Sequence, residues 1–157
     1  MGRWADALAR TGRAAFTSPG AGAAGGIGAA LLACGATLVS GFDEVARVTG
    51  LERAVAGADL VITGEGSLDA QTAMGKAPAG VAGIARAASA LVVGIGGRVD
   101  RPSPDCFDAA FPVHGQLRSL AEALDPAVTV AELSATAAEV VRLLLAAHRT
   151  RRATTVR

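Results

Sequence analysis

The amino-acid sequence predicts an α/β fold, part of a doubly wound parallel sheet, preceded by a mostly helical, glycine-rich segment. Two short apolar runs rich in β-branched residues, Leu60–Thr63 and Leu91–Ile95, are typical of buried parallel strands. Between them, Pro78 suits the first turn of a helix whose apolar positions recur at helical spacing. Because strands that alternate with helices form parallel sheets with right-handed crossovers, we expect half of a Rossmann-like or flavodoxin-like domain.

The composition is that of a folded protein without a nucleic-acid surface. Of 157 residues, 51% are hydrophobic and 18% are charged, which is sufficient for an apolar core. The formal net charge is +1 and only 3% of residues are aromatic, so a basic stripe or a base-stacking platform is not expected. The sequence contains no bilayer-length apolar run, no signal-peptide core and no CxxC pair. We therefore expect a cytoplasmic protein that does not bind a membrane.

The N-terminal third reads as helices and a loop. Trp4–Phe16 has the pattern of a short amphipathic helix, and Thr17–Gly26 is a glycine-rich loop. A second helix starts at Ile27 and is predicted to stop at Gly35, since glycine is the usual residue just after a helix. Thr37–Val39 is predicted to be a short strand.

The next elements are assigned from caps and from proline. Asp43 is a plausible N-cap for a helix that ends at Gly50, and Leu51–Val55 adds a further helical turn. Ala109–Val113 is predicted to be a third strand, which Pro112 restricts to a sheet edge or a strand end.

Two capping boxes predict the C-terminal helices. Ser119 with Glu122 marks a short helix, and Thr129 with Glu132 marks the start of a long helix that keeps an apolar stripe to His148. We accordingly divide the chain into a helical segment over residues 1–57, an α/β segment over 58–149 and a disordered basic tail over 150–157.

The most informative stretch runs from Ala58 to Gly80 and joins a predicted strand, an acidic loop and a helix start. Open α/β sheets bind ligands at this kind of position. Glu65 and Asp69 lie there, and the glycines on either side of Glu65, Gly64 and Gly66, would permit close approach of a ligand. Either carboxylate could hold Mg²⁺ or accept a proton from a hydroxyl group. The alternative is that they are solvated loop acids or helix caps.

Further polar residues follow in the same stretch. Lys76 precedes a predicted helix N-terminus, where a cation is disfavoured unless an anion joins it, so a phosphate is expected nearby. Otherwise Lys76 is an exposed, solubilising residue, although it is the only lysine of the chain. Gln71 and Thr72 could orient substrate hydroxyls or cap the helix, and Ser67 is a further candidate ligand-binding residue.

The glycine-rich loop offers a second candidate site. Its backbone N–H groups could bind an anion ahead of the following helix. No strand precedes the loop and no Gly-Lys-Ser/Thr ending follows, so close helix packing between small residues explains the pattern equally well. The candidate residues are Gly20, Gly22, Gly25 and Gly26. His114 and His148 have no partner at metal-ligand spacing, and we expect them to be structural.

Four sequence blocks resemble the bacterial glycerate kinase family that forms 2-phosphoglycerate. In chain order they read PGAGAAGGIGAALLACGATL, GLERAVAGADLVITGEGSLDAQTAMGKAPAGVA, VVGIGGRVD and SLAEAL. The likeness extends from Trp4 to His148, and the blocks occur in the family's order. In this resemblance, Glu65, Asp69, Gln71 and Lys76 match the motif block, and the four loop glycines match the glycine-rich block.

The resemblance implies a two-domain α/β architecture with the active site in the cleft between the domains. It also implies ATP and Mg²⁺ as cofactors and phosphoryl transfer to a hydroxyl group of D-glycerate. Members of the family are longer and open with an Asp-Ser-Phe-Lys motif that this sequence lacks. Residues 1–57 would correspond to the end of the second domain, and the chain to the later portion of a kinase.

Three functional hypotheses follow. The chain is a glycerate kinase-like phosphotransferase that acts with a complementary N-terminal half or as a homo-oligomer. Alternatively, it is a catalytically inactive domain that self-associates or binds a partner, because a lone chain would expose an apolar face and a sheet edge. A generic nucleotide-binding domain is the third hypothesis.

Overall fold

The computed structural model describes residues 18–74 and 76–155, with side chains up to residue 150. The chain divides into two compact units after Glu44. The sequence-based boundary after residue 57 differs from this division, because Leu51 and Val55 pack on the core of the second unit. The helix predicted over Trp4–Phe16 lies outside the described residues.

The first unit contains a short 3-10 helix, Ala23–Gly26, and helix α1, Ile27–Ala33. Helix α1 ends as expected, with Gly35 in the left-handed region at φ +89°. The strand predicted over Thr37–Val39 is absent from the described chain, where residues 36–40 have no regular structure. An isolated apolar run cannot form a strand without a partner that accepts its backbone hydrogen bonds.

Two helices follow. Helix α2 spans Gly41–Thr49 and α3 spans Leu51–Val55. The predicted cap at Asp43 is wrong by three residues, since Ser40 Oγ accepts a hydrogen bond from the Asp43 N–H at 3.3 Å. Asp43 instead lies in the first turn, where a carboxylate interacts favourably with the helix dipole.

A three-stranded parallel sheet in the order β1-β2-β3 organises the second unit and confirms the predicted fold class. Its strands are β1, Leu60–Leu68; β2, Leu91–Val99; and β3, Ala109–Pro112. Helix α4, Ala77–Ala87, crosses between β1 and β2 and carries Pro78 in its first turn, as the sequence predicts. Strand β3 lies at a sheet edge and ends at its proline.

Strand β1 differs from its prediction in length and in burial. It continues five residues beyond Thr63, because β2 is equally long and pairs with it up to Leu68 opposite Val99. Glu65 therefore lies within a strand and not in the loop that the sequence predicts. The strand is also an edge strand, with Ile62 39% exposed, so it is not the fully buried strand expected.

Apolar side chains pack on both faces of the sheet, as the pleat of a strand requires. On one face, Val92 packs with Ala85 of α4 and with Phe107. On the other face, Val93 packs with Val140, which belongs to a long C-terminal helix. The sheet thus has helices on both faces, which is the layered arrangement of α/β domains.

Leu68 at the end of β1 is completely buried against glycines of β2. A Cβ atom added at Gly94 would lie 2.9 Å from Leu68 Cδ1, and one added at Gly96 would lie 2.8 Å from Leu68 Cγ. The missing side chains of β2 therefore form the space that Leu68 occupies. Burying a leucine stabilises a fold by about 1.5–3 kcal/mol, so this contact anchors the segment that begins at Asp69.

Helices α5, Leu120–Ala123, and α6, Pro126–Thr155, complete the unit. The capping box of Ser119 with Glu122 is confirmed, with both reciprocal hydrogen bonds present. The basic tail predicted to be disordered from residue 150 is helical up to Thr155, so the predicted fraying is wrong over those residues. Arginine and alanine at 151–153 are good helix formers and extend the helix.

The second predicted capping box is wrong. Helix α6 begins three residues before Thr129, and Asp125 Oδ1 accepts hydrogen bonds from the N–H groups of Ala127 and Val128 at 2.9 and 3.1 Å. An aspartate directly before proline is a strong helix start, because the proline ring suits the first helical position. Thr129 Oγ1 instead donates to the Ala123 carbonyl at 3.0 Å.

Glu132 does not cap α6 but links this helix to the segment after β3. Its Oε2 lies 2.7 Å from His114 Nδ1, and its Oε1 accepts a hydrogen bond from Arg118 Nε at 2.8 Å. His114 Nε2 lies 3.1 Å from the Ala123 carbonyl oxygen, so this histidine is structural, as predicted. The hydrogen bonds from Arg118 and then from His114 lower the pKa of Glu132.

Within residues 18–74 and 76–155, we find no helix that is both long and apolar enough to span a bilayer.

Gly64→Ala should destabilise the chain, because a Cβ atom at this position would lie 1.9 Å from the Ile95 carbonyl oxygen of β2. Overpacking of this kind typically costs about 1–3 kcal/mol, measurable by urea unfolding followed by circular dichroism. Gly66→Ala is the matched control, since nothing lies within 4 Å of a Cβ there. Equal stability of the two variants would contradict the close packing of β1 on β2.

Glu132→Gln should reduce stability mainly above the ordinary glutamate pKa of about 4.3. Because folding lowers the pKa of Glu132, its contribution is complete above the unfolded-state pKa and is lost as the pH falls through the folded-state pKa. Unfolding free energies measured from pH 7 to pH 3 should therefore differ most between wild type and variant above about pH 5, and the difference should shrink progressively as the pH falls below about 4. If the difference in unfolding free energy between wild type and Glu132→Gln grew on acidification, the predicted role of Glu132 would be contradicted. Glu139→Gln removes the same charge from an exposed position of α6 and serves as the control.

Candidate functional site

Three predicted site residues come together near the carboxyl end of β1. Lys76 Nζ lies 3.8 Å from Glu65 Oε2 and 3.8 Å from Asp69 Oδ1. The side chains of Glu65 and Asp69 are 24% exposed, and that of Lys76 is 39% exposed. The cluster is therefore partly shielded from solvent but still accessible, which a site for a charged small molecule requires. We call Glu65, Asp69 and Lys76 the acid–lysine cluster.

The elements around the cluster explain its geometry. Glu65 extends from β1, where its strand neighbour in β2 is Gly96. Asp69 follows immediately after the buried anchor Leu68, and Lys76 is the N-cap residue of α4. The chain between the two ends contains a short 3-10 helix, Thr72–Met74. One strand end and one helix start, joined by a tight connection, thus bring the two acids and the cation together.

Thr72 is buried inside this connection and has no exposed surface. Its Oγ1 donates a hydrogen bond to Glu65 Oε1 at 2.7 Å and accepts one from the Asp69 N–H at 3.0 Å. The predicted role of Thr72 in direct ligand contact therefore does not fit its position, because a fully covered hydroxyl cannot reach a bound molecule. Thr72 instead holds the Glu65 carboxylate and the Asp69 backbone in place through these two hydrogen bonds.

Asp69 is further held by its own loop. Its Oδ1 accepts the Gln71 N–H at 2.9 Å, which is the hydrogen bond of an Asx-turn. Ser67 Oγ lies 3.5 Å from Asp69 Oδ2, at the limit of a hydrogen bond. The exposed residue Gln71 thus contributes its backbone N–H group to the cluster, and Ser67 contacts Asp69.

Lys76 is held by charge and not by close hydrogen bonds. The distances from Lys76 Nζ to the two carboxylate oxygens both exceed hydrogen-bond distance. Ion pairs of this kind at partly exposed positions contribute little stability. The two acids also supply the negative charge that a lysine at a helix N-terminus needs. The expected phosphate is therefore not required to explain Lys76, although an anion could replace either acid as its partner.

The structure separates the glycine candidates into different roles. Gly64 is required by packing on β2, whereas a Cβ atom at Gly66 would face open space. In the first unit, a Cβ atom at Gly28 would lie 2.3 Å from the Gly20 carbonyl oxygen, which favours the close-packing alternative at that end of the loop. The remaining candidates, Gly22, Gly25 and Gly26, also belong to the first unit, the last two with φ of +70° and +105°. Their anion-binding role stays a prediction.

Sequence reasoning missed Arg98 at the same end of the sheet. Arg98 is the direct neighbour of Ser67 in the register of β1 and β2. Its Nε and Nη2 atoms donate to Asp100 Oδ1 at 2.9 and 2.7 Å, and its side chain is 70% exposed. An arginine followed two residues later by an acid at the end of a strand was the available signal.

The donor set for a metal is small. Among the described residues, no group of three or more His, Cys, Asp or Glu side chains is close enough to hold a metal ion. Glu65 and Asp69 supply two carboxylates. Glu65 has one oxygen in a hydrogen bond, and Asp69 has Oδ1 in one and Oδ2 3.5 Å from Ser67 Oγ. Mg²⁺ is commonly bound by one or two carboxylates together with substrate phosphates, so two carboxylates suit such a shared site but not an all-protein cage.

The sequence matches the model of the glycerate kinase family over residues 1–145. The chain belongs to the glycerate kinase family. It is 40% identical over 129 residues to a glycerate kinase of Halalkalibacterium halodurans, covering 79% of this chain and 34% of that protein. It is 44% identical over 110 residues to glycerate 2-kinase of Escherichia coli, covering 67% of this chain and 29% of that protein.

A solved structure agrees with this assignment. The crystal structure of glycerate kinase 2 from Salmonella typhimurium LT2 aligns with a TM-score of 0.70 and 41% identity, over 94% of this chain and 39% of that one. The family resemblance and the α/β fold expected from the sequence are thus confirmed. The chain spans about a third of the length of the curated relatives it matches.

Proposed function

We propose that this chain contributes to an ATP-dependent kinase that phosphorylates D-glycerate to 2-phosphoglycerate. The observation that carries the proposal is the acid–lysine cluster, in which Lys76 Nζ lies 3.8 Å from an oxygen of each acid. Family membership supports the same reaction class, because the relatives are named as glycerate kinases.

The charges of the cluster suit phosphoryl transfer. This reaction needs alignment of donor and acceptor and cations to offset the charge of the transferred group. Lys76 is accessible and only loosely held by its acids, so a phosphate oxygen or the glycerate carboxylate could take their place at the ammonium group. Lysine commonly binds phosphate as a point charge.

The two acids are held in different ways. Glu65 is anchored through Oε1 and presents Oε2 towards Lys76, whereas Asp69 is anchored through Oδ1 by the Gln71 N–H. Either carboxylate can orient the glycerate hydroxyl and accept its proton, as an acid placed within hydrogen-bond reach does in other phosphotransferases. We propose Asp69 for this task, because it follows the strand directly and its Oδ2 has only the 3.5 Å contact with Ser67 Oγ.

Mg²⁺ would be held by Glu65 and Asp69 jointly with nucleotide phosphates. When bound, the ion would neutralise charge on the phosphates of ATP. In the first unit, we propose that the backbone around Gly22, Gly25 and Gly26 binds an anionic group of one substrate, as N–H groups ahead of helices do. As its partner in the kinase, we propose a complementary N-terminal half or a further copy of the same chain.

Asp69→Asn and Lys76→Ala should each lower turnover by about 100-fold or more, as expected for groups that contact the reacting atoms. The assay follows ADP release and 2-phosphoglycerate formation from ATP and D-glycerate. It is run with the chain alone and with a separately expressed polypeptide that carries the rest of a family member's fold. Asp59→Asn makes the same change at the opposite end of β1 and should leave turnover unchanged.

Urea unfolding checks that these variants remain folded. Both should stay within about 1 kcal/mol of wild type, since partly exposed ion pairs contribute little. Wild-type turnover that survives both substitutions would contradict the roles assigned to Asp69 and Lys76. A complemented wild type that shows no glycerate-dependent ADP release would contradict the proposed reaction itself.

A further inference from the structure

Among the described residues, Thr72 is the buried polar side chain of the core. Its two shorter hydrogen bonds join residues of the acid–lysine cluster, and a third contact, 3.5 Å long, reaches the Ser67 carbonyl oxygen. Its single hydroxyl proton goes to Glu65 Oε1 at 2.7 Å, a length typical of a strong hydrogen bond to a charged acceptor. The oxygen of the same hydroxyl accepts the Asp69 N–H at 3.0 Å. One side chain therefore connects the strand residue Glu65 with the loop residue Asp69.

The hydrogen bond from Thr72 restricts the orientation of the Glu65 carboxylate. A glutamate side chain on an exposed sheet edge would sample several rotamers. With Oε1 bound to a buried group, the carboxylate of Glu65 is held so that Oε2 lies on the side of Lys76. A buried hydroxyl is well suited to this task, because water cannot compete for it and its own burial is costly without a partner.

We propose that Thr72 is a positioning residue, which orients the Glu65 carboxylate towards Lys76 and couples that orientation to the Asp69 loop. The inference rests on the proposed function where it concerns turnover, but the orientation of Glu65 can be tested without it. Thr72 does not touch substrate in this account and acts only through Glu65 and Asp69.

The test uses three variants of the full chain. Thr72→Ser keeps the hydroxyl, Thr72→Val keeps the volume but loses the hydroxyl, and Thr72→Ala serves if the valine variant does not fold. Three-bond NMR couplings report the χ1 rotamer of Glu65 in each folded variant, with the resonances assigned through Glu65→Gln. We expect one dominant rotamer in wild type and Thr72→Ser and averaged couplings in Thr72→Val or Thr72→Ala. Unchanged couplings without the hydroxyl would overturn the proposal.

Kinetics then separates positioning from a merely structural role. In the complemented assay, Thr72→Val should lower kcat by about 10- to 100-fold, the size expected when a reacting group is slightly misplaced, and leave the KM for ATP within about threefold. Thr72→Ser should restore kcat to within about threefold of wild type. On a Glu65→Gln background, removing the hydroxyl should have little further effect, because the two changes disrupt one interaction.

The outcomes distinguish the two claims. If wild type shows no glycerate phosphorylation, the proposed function fails, and the Glu65 couplings alone decide whether Thr72 orients that side chain. If wild type is active and the kinetic effects of Thr72→Val and Glu65→Gln are fully additive, Thr72 does not act through Glu65 and the proposal is wrong.

Discussion

The close backbone approach of β1 to β2 determines where Glu65, the strand residue of the candidate site, lies and where the chain leaves the sheet towards Asp69. Gly64 allows this approach, because any side chain there would collide with the Ile95 carbonyl oxygen. As a result, the two nine-residue strands pair from Leu60 opposite Leu91 to Leu68 opposite Val99, and Glu65 extends from a strand instead of a loop. The rigidity of the site thus comes from strand pairing, and functional groups on rigid elements are held more accurately than those on loops.

A second contact, the packing of Leu68 on β2, holds the end of β1 in place. Leu68 fills the space left by Gly94 and Gly96 and fixes the point at which the chain leaves the sheet. Asp69 follows directly, and the connection to α4 is then short enough for Thr72 to bind both acids from beneath. The glycines of β2 therefore act on the site indirectly, through a leucine that carries no chemistry. A ligand is not needed to explain them.

The sequence predicted most of the fold because its strong signals are local. The apolar runs at Leu60 and Leu91, the proline at the start of α4 and the Ser119 capping box all reflect preferences of the residues themselves. Two errors arose where a tertiary contact decided the outcome: the true length of β1 depends on β2, and Glu132 of the rejected capping box binds His114 and Arg118. The start of α6 was a different error, because the sequence offers two local caps and Asp125 is the one used.

The sequence predicted which residues form the site better than it predicted how they are arranged. The spacing of Glu65, Asp69 and Lys76 indicated that they would converge, and they do. Spacing could not show that Thr72 is buried, that Gly64 serves packing, or that Arg98 lies beside Ser67, because each depends on a neighbouring strand. The role of each residue in the reaction remains a proposal that rests on charge and accessibility.

The most direct test of the account is acylation of Lys76 with an amine-reactive ester, followed by mass spectrometry. Lys76 is the only lysine of the chain, so the N-terminal amine provides an internal control in the same molecule. We predict that ATP with Mg²⁺, or 2-phosphoglycerate, slows acylation of Lys76 several-fold and leaves the N-terminal amine unaffected. Equal acylation of Lys76 with and without these ligands, in the complemented protein, would contradict an anion site at the acid–lysine cluster.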